Sequence, residues 1–553
     1  MASANRSVDA PRLRVVADVK NFSTVVRYGA GELSYFIGAG TDQPLMLGIW
    51  NADDMQDNTT VVEIENNEVK YIISGEATLK DVDSGEEFHV SAGSVIWLPK
   101  GARTLRVRSR GLVAFYVGQA DRPITTVSEP SSSWVGTLDQ IHARVVRDFV
   151  TGNPKSQNRF EEAARHMPGG NTRSVLHYDP FPLAMFSARD CYVTSVDGVE
   201  YLDFVSEFSA AFFGHSNPYI LEAIQQAMSR GINRGGPGDD EVELARLIKD
   251  RFQSIDILRF CNSGTEANTV ALALATRVTK RSKILAFENG YHGGFIGFGA
   301  KQNATTIPHD FVLGRFNDIE YTKSMLSDEI ADIIVEPMQG AGGVTPGTPA
   351  FLQFLRDEAT RLGAVLIFDE VVTSRLHING LQGHLGIFPD ITTLGKYIRG
   401  GPSFGAFGGH GSHMGALDPR QGSALTHSGT YNNNAFTMAA GIAGAKFLTQ
   451  EKILKANSLR DKLREGVNSL VKKHRVQLIH ATGFGSIVGL HFSGPGQVRL
   501  RDTLFFYMLS RGIYIGKRGF VSLNLVHEEK HIDCFLEAFQ DFMDEVFKGS
   551  TWT

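Results

Sequence analysis

Ala364-Val-Leu-Ile-Phe-Asp-Glu-Val371 runs a short apolar stretch directly into an acidic pair, Asp369 and Glu370. An apolar run of this length, bounded by polar residues, predicts a strand buried on both faces. The carboxyl end of such a strand is where ligands of open α/β sheets collect. Three more runs share its texture: Ile257-Leu-Arg-Phe-Cys261, Lys283-Ile-Leu-Ala-Phe287 and Ala331-Asp-Ile-Ile-Val335. Apolar residues recur at helical spacing around them, as Ile220, Leu221, Ile224 and Met228, as Leu459, Leu463, Val467 and Leu470, and as Ile532, Phe535, Leu536, Phe539 and Phe542. Strands alternating with amphipathic helices predict a largely parallel sheet covered on both faces.

Four features outward from Asp369 carry chemistry. A carboxylate at Asp369 can pair with a protonated heterocyclic nitrogen and keep a cofactor cationic. Lys396 closes Thr392-Thr-Leu-Gly-Lys396 ahead of the glycine-rich Gly400-Gly-Pro-Ser-Phe-Gly405, and a lysine of lowered pKa can form a Schiff base with an aldehyde. Asn262-Ser-Gly-Thr-Glu-Ala267 follows a strand and opens a helix. Free N–H groups there, the hydroxyls of Ser263 and Thr265, and the small Gly264 make a phosphate cradle, while a plain helix cap is the competing use of Ser263. Tyr291, in Tyr291-His-Gly293, offers an aromatic face for a planar ring. Cradle, ring, carboxylate and imine lysine are together the requirements of pyridoxal 5′-phosphate.

With these motifs in place, roughly Leu138 to Phe547 resembles the class III pyridoxal-phosphate aminotransferases of fold type I. The likeness is densest to the glutamate-1-semialdehyde aminomutase-like branch and to the β-phenylalanine aminotransferases. It runs through Arg165-His-Met-Pro-Gly-Gly-Asn-Thr-Arg-Ser174, Leu394-Gly-Lys-Tyr-Ile-Arg-Gly-Gly401, His427-Ser-Gly-Thr-Tyr-Asn-Asn-Asn434 and Arg518-Gly-Phe-Val521. The resemblance implies that Lys396 bears the cofactor and that Asp369 pairs with its ring nitrogen. It implies that Tyr291 and Val371 sandwich the ring, and that Ser263, Gly264 and Thr265 hold the phosphate. Thr430 would reach the phosphate of a neighbouring subunit, implying a homodimer with shared sites. Arg173 and Arg518 stand where the β-phenylalanine enzymes bind carboxylates, and a planar guanidinium suits that task. Phe208 and Arg399 would reshape the pocket. The Glu336-Pro-Met-Gln-Gly340 stretch continues with Ala341, so the Gly-Glu pair that gives many ω-aminotransferases a removable partner for their carboxylate arginine is absent. Val372 stands where some relatives carry a glutamine, and Gln339 is the residue that could replace it. The activity implied is transfer of an amino group from a β-amino acid with an apolar or aromatic side chain to an α-keto acid such as 2-oxoglutarate or pyruvate. An intramolecular aminomutase is the nearest alternative.

The amino-terminal part reads differently. Residues 1–120 break into short strands with a hairpin turn at Asp83-Ser-Gly85. They resemble the cupins: Glu68 to Gly75 fits a first cupin motif, and Gly93 with Pro99-Lys-Gly101 a second. His89 is the lone histidine before the linker, too few for a His-ligated metal centre, and no metal is expected. Residues 121–137, rich in Pro, Ser and Thr, read as a linker. Residues 138–553 form the transferase, its large domain about 205–440 and its small domain 138–204 with 441–553. A cupin ligand sensor on an inactive aminotransferase scaffold is the alternative from another class, and the intact Lys396 and Asp369 oppose it.

Composition sets the surroundings. The chain has 553 residues, 42% of them hydrophobic, with 55 basic against 60 acidic side chains and a formal charge of −5. No cationic field points to nucleic acid or an anionic membrane. No apolar run reaches the roughly 18 to 20 residues needed to span a bilayer, and Met1 to Arg12 lacks the apolar stretch of a secretory signal. A cytoplasmic protein with reduced cysteines is expected, Cys261 serving as core packing.

Overall fold

The apolar runs pair into one sheet. Its strands are β1 (Ile257–Cys261), β2 (Lys283–Phe287), β3 (Asp310–Gly314), β4 (Ile330–Val335), β5 (Val365–Asp369), β6 (Ile391–Gly395) and β7 (Gly405–Gly409), in the order β1-β7-β6-β5-β4-β2-β3. Pairing is parallel from β6 through β5, β4 and β2 to β3, and β7 runs antiparallel to both β6 and β1. Every residue of β5 is buried, because the sheet is covered twice. On one face Ala271, Leu274 and Ala275 of α1 (Gly264–Thr279) pack with Ile284, Ile334 and Ile367. On the other, Phe351, Leu352 and Leu355 of the helix Pro349–Leu362 pack with Leu285, Ile333 and Phe368. Adjacent residues of a strand point to opposite faces, so Ile367 and Phe368 serve different layers.

This computed structural model describes residues 14–17, 45–51, 61–64, 67–119, 133–232, 234–299, 305–494 and 496–547. They fall into two units, Met1–Ser131 and Ser132–Thr553. Within the second unit a further core joins Phe149, Leu463, Val467, Phe505, Phe535 and Phe539. It gathers the helices Ser133–Gly152, Gln450–Lys473, Gln497–Ser510 and Glu529–Phe547 around a three-stranded antiparallel sheet, Ile479–Phe484, Ile487–Phe492 and Phe520–Ser522. The helix Ser133–Gly152 begins inside the stretch expected as linker. Its stripe of Leu138, Ile141, Val145 and Phe149 is buried, and that burial carries the helix back beyond the first apolar residue. Residues 121–132, the rest of that stretch, lie outside the described residues.

In the first unit the described strands Arg14–Ala17, Leu45–Asn51, Val61–Glu63, Asn67–Asp81, Glu87–Ser91, Ser94–Leu98 and Arg103–Gln119 pair antiparallel in one sheet. Ile72, Ala77, Val90, Ile96, Leu112 and Ala114 form its core. Among the described residues no helix is long and apolar enough to cross a membrane.

Candidate active site

Three chain turns meet at the carboxyl ends of β5 and β6 and at the start of α1. Asp369 ends β5, buried at 4% exposure. Its Oδ2 accepts hydrogen bonds from Asn268 Nδ2 at 2.8 Å and lies 2.8 Å from His292 Nδ1. Its Oδ1 accepts from the backbone N–H of Val371 at 3.1 Å. Thr393 of β6 donates to Asn268 Oδ1 at 2.6 Å and fixes that amide in turn. The carboxylate is thus oriented from α1, from the Tyr291 loop and from its own turn, as a group that must face one ligand atom has to be.

Lys396 follows β6 directly, partly buried, with φ +50. A left-handed lysine is strained and persists because its surroundings hold it. Burial lowers its pKa to about 8; the Asp369 and Glu336 charges oppose that shift, and the positive Arg375 and Arg173 add to it. A neutral amine is the nucleophilic form, so burial supplies it at a far lower pH than in water. Glu336, just past β4, accepts from the backbone N–H groups of Tyr291 and Gly340, each at 3.0 Å. Its acid is pushed up to about 7, mainly by burial, with His292 opposing and Asp369 reinforcing the rise.

The floor of the site is close-packed. A Cβ at Gly264 would come within 2.9 Å of Val371 Cγ2, and one at Gly395 within 3.1 Å of Val371 Cγ1. Val371 therefore lies against the start of α1 and the residue before Lys396, and Gly264 is needed for that approach. Ser263 is the N-cap of α1, its Oγ accepting from Glu266 N–H at 3.1 Å. Thr265 Oγ1 accepts from Gly294 N–H at 3.2 Å and ties the helix start to the Tyr291 loop. The Tyr291 ring is 51% exposed.

The expected substrate residues form a second, more open group. Arg173 pairs with Glu207, and its guanidinium carbon stands 5.5 Å from the centre of the Phe208 ring. That ring stacks in turn on Phe520, centroids 5.9 Å apart. Arg518 lies two positions before Phe520, exposed, in the turn between Ile513–Tyr514 and Phe520–Ser522. Thr430 is not gathered with the rest. It is exposed and lines a cavity of about 560 Å³ with Gly235, Gly236, Asn433 and Asn434, whose wall includes neither Asp369 nor Lys396.

One expectation is corrected. Arg399 does not reach the pocket: it is wholly buried, donates to the Cys261 carbonyl at 2.9 Å and lies over the Phe404 ring. The segment bends inward because the helix Ala435–Phe447 leaves space at Gly441, where a Cβ would sit 3.5 Å from Arg399 Cγ. Gln339 Nε2 donates to the Glu288 carbonyl at 2.8 Å. Sequence reading also passed over Asn268, His292 as the partner of Asp369, Glu336 and Arg375. Arg375 is wholly buried and donates to Ser209 O, Ser522 Oγ and Leu523 O. Asn268 alone carried a signal, a polar residue amid the apolar stripe Ala267, Ala271 and Leu272 of α1.

Comparison with known proteins places the chain in a family. Residues 175–543 match the family model described as Aminotransferase class-III. Beta-phenylalanine transaminase of Variovorax paradoxus is 47% identical over 421 residues, covering 73% of this chain and 96% of that protein. Glutamate-1-semialdehyde 2,1-aminomutase 1 of Listeria welshimeri is 35% identical over 418 residues, covering 70% and 97%. Among solved structures, a beta-phenylalanine aminotransferase from Variovorax paradoxus superposes with a TM-score of 0.71 at 47% identity, covering 73% of this chain and 97% of that one. A structure described as a transaminase with PLP bound gives 0.68 at 30% identity, covering 71% and 98%. The chain belongs to the class III aminotransferases. Its second unit has the fold type I transferase architecture.

Proposed function

We propose that the protein transfers the amino group of a β-amino acid, with an apolar or aromatic side chain, to an α-keto acid such as 2-oxoglutarate or pyruvate, using pyridoxal 5′-phosphate. The observation that carries this reading is the pairing of two groups: a buried Asp369 beside a lysine of lowered proton affinity, and an arginine, Arg173, seated on an aromatic ring at the open side. The donor set fits the cofactor. Helix-start N–H groups with Ser263, Gly264 and Thr265 suit a phosphate, Val371 offers a flat apolar floor, and Tyr291 offers a ring face. When bound, the cofactor supplies an electron sink for the carbon that loses its proton.

The chain's own residues do the rest. With its pKa lowered to about 8, Lys396 has a neutral fraction near pH 7 that an ordinary lysine lacks, so its Nζ can hold the cofactor, then accept a proton from the substrate carbon and return it one position away. Asp369 stays oriented by Asn268 and His292, so its charge is fixed where a ring nitrogen needs it, without reorganisation. Arg173 binds the substrate carboxylate through parallel N–H groups, and Phe208 and Phe520 supply an apolar wall beside it. Arg518 is read as the anchor of a second carboxylate.

Three further readings complete the proposal. The first unit is read as cupin-like, supported by Gly75, Gly93 and Gly101 of the two motifs, all at positive φ. A homodimer with Thr430 serving the neighbouring phosphate site is supported by that residue's exposure beside the uncovered Tyr431 ring, 59% exposed. A cytoplasmic setting is supported by three widely spaced cysteines, none of them paired in a disulfide. Incubation of cofactor-loaded protein with 3-amino-3-phenylpropanoate and 2-oxoglutarate or pyruvate tests the activity. Glutamate or alanine should accumulate in step with loss of the donor. Rearrangement of an amino substrate without any keto acid would instead support the aminomutase.

A further inference from the structure

Arg173 is not free in this structure. It is paired with Glu207, and Glu207 belongs to a segment with an unusual backbone: Ser206, Glu207, Phe208 and Ser209 all have positive φ, at 47, 51, 50 and 76°. None is glycine, and four successive left-handed residues of this kind are strained. The strain is held at both ends. Asp203 accepts from the backbone N–H groups of Val205 at 2.7 Å and Ser206 at 3.0 Å, and is itself held by His215 Nε2 at 2.7 Å. Ser206 Oγ donates to Ser522 O, and Arg375 donates to Ser209 O, each at 3.0 Å. Ser206 and Ser209 are wholly buried while Glu207 is exposed. The segment is pinned at its ends and presents its middle: an acid to the Arg173 guanidinium and a ring beneath it.

The strength of the pair suits exchange. The two side chains are 41% and 55% exposed, and exposed ion pairs hold their partners by no more than about five-fold. A pair meant to last would be buried. A carboxylate ligand arriving on Phe208 would replace one carboxylate by another and leave the guanidinium paired.

We propose that Glu207 is the internal carboxylate that occupies Arg173 in the empty site and is displaced by the carboxylate of the substrate, so that Glu207 sets the affinity of the site for carboxylate-bearing donors. The Gly-Glu pair missing after Gly340 is thereby replaced from a different element of the chain. The proposal rests on Arg173 being the carboxylate anchor. When a substrate without a carboxylate occupies the site, Glu207 remains on Arg173 and the guanidinium keeps a partner.

Calorimetric titration of cofactor-loaded protein with 3-phenylpropanoate, and with its neutral amide as control, tests it. Glu207→Gln is expected to tighten 3-phenylpropanoate by about three- to five-fold and to leave the amide unchanged. In an Arg173→Gln background the same change is expected to have no effect, because the competed cation is gone. Glu207→Asp, which keeps the charge, should stay close to the parent. Binding of 3-phenylpropanoate that is unchanged or weakened by Glu207→Gln, or that is detected in neither protein, overturns the proposal. If the titrations behave as expected but 3-amino-3-phenylpropanoate is not transaminated, the substrate reading falls and Glu207 keeps its role. The converse result removes Glu207 and leaves the activity.

Discussion

The two ends of the site are built on opposite principles. The cofactor end is buried and mutually bonded, with Asp369 tied to Asn268 and His292, Asn268 tied to Thr393, and Val371 pressed against Gly264 and Gly395. The carboxylate end is open: Arg173 and Glu207 are exposed, held by a strained turn, and backed by the Phe208 and Phe520 rings. A group that serves every turnover is best fixed once, because preorganised charge costs nothing to reorganise during reaction. A group that must accept an amino acid and then a keto acid is best left exchangeable. On the proposed reading, fixed chemistry beside replaceable recognition would let one site run both halves of a transfer.

That contrast can be broken at each end, beginning with the largest effect. Lys396→Ala should lower transamination on the order of 10⁴-fold or more, removing both the covalent anchor and the proton carrier, and should abolish the visible absorbance of the lysine-bound cofactor. Asp369→Asn should lower turnover by about 10²- to 10³-fold, since the bonds to Asn268 and His292 do not replace the lost charge. The same change should move the Lys396 midpoint below about 8, because Asp369 holds a proton on the amine. The rate at which cofactor-free protein takes up pyridoxal 5′-phosphate across pH reads that midpoint, rising as the amine becomes neutral. Arg173→Gln should raise KM for a β-amino acid about ten- to hundred-fold, the loss of a charge-assisted hydrogen-bonded contact. It should leave amines without a carboxylate little affected.

The smallest expected effect belongs to the central sheet. Asp332 lies in the middle of β4, wholly buried, and neither carboxylate oxygen has a hydrogen-bond partner among the described residues. Burial raises its pKa well above the usual aspartate value. The folded protein therefore keeps a proton that the unfolded chain releases, and stability is lost as pH climbs above about 3.9. Asp332→Leu should stabilise the fold by about 1–3 kcal/mol at pH 7 and by less at pH 4, measured by chemical denaturation. An equal gain at both pH values would contradict this account.

The cofactor end was legible because its chemistry sits in contiguous motifs at strand ends. Asp369, Lys396, Gly264 and Val371 each follow an apolar run that fixes its place in the sheet. At the open end, Arg173, Arg518 and Phe208 were named only through resemblance, since they come from separate segments, and Glu207 was not read at all, because the left-handed turn at 206–209 contains no glycine to announce it. Buried arginines were unreadable for a related reason: nothing in the sequence separates Arg375 and Arg399 from surface arginines, which are the rule. Helix phase was half right. Ile220 is buried as expected, but Leu221 and Met228 are 52% and 53% exposed, because an apolar stripe gives the period of a helix more securely than the edge of its buried face.

The central claim is that Lys396 and Asp369, with Arg173 at the open side, carry a half-reaction on a β-amino acid. A visible absorbance scan of cofactor-loaded protein before and after adding 3-amino-3-phenylpropanoate, with no keto acid present, tests it most directly. The account predicts that the absorbance of the lysine-bound cofactor gives way stoichiometrically to that of its amine form, and that 2-oxoglutarate or pyruvate restores it. A spectrum unchanged by that donor, in protein whose lysine-bound absorbance is intact, would contradict the account.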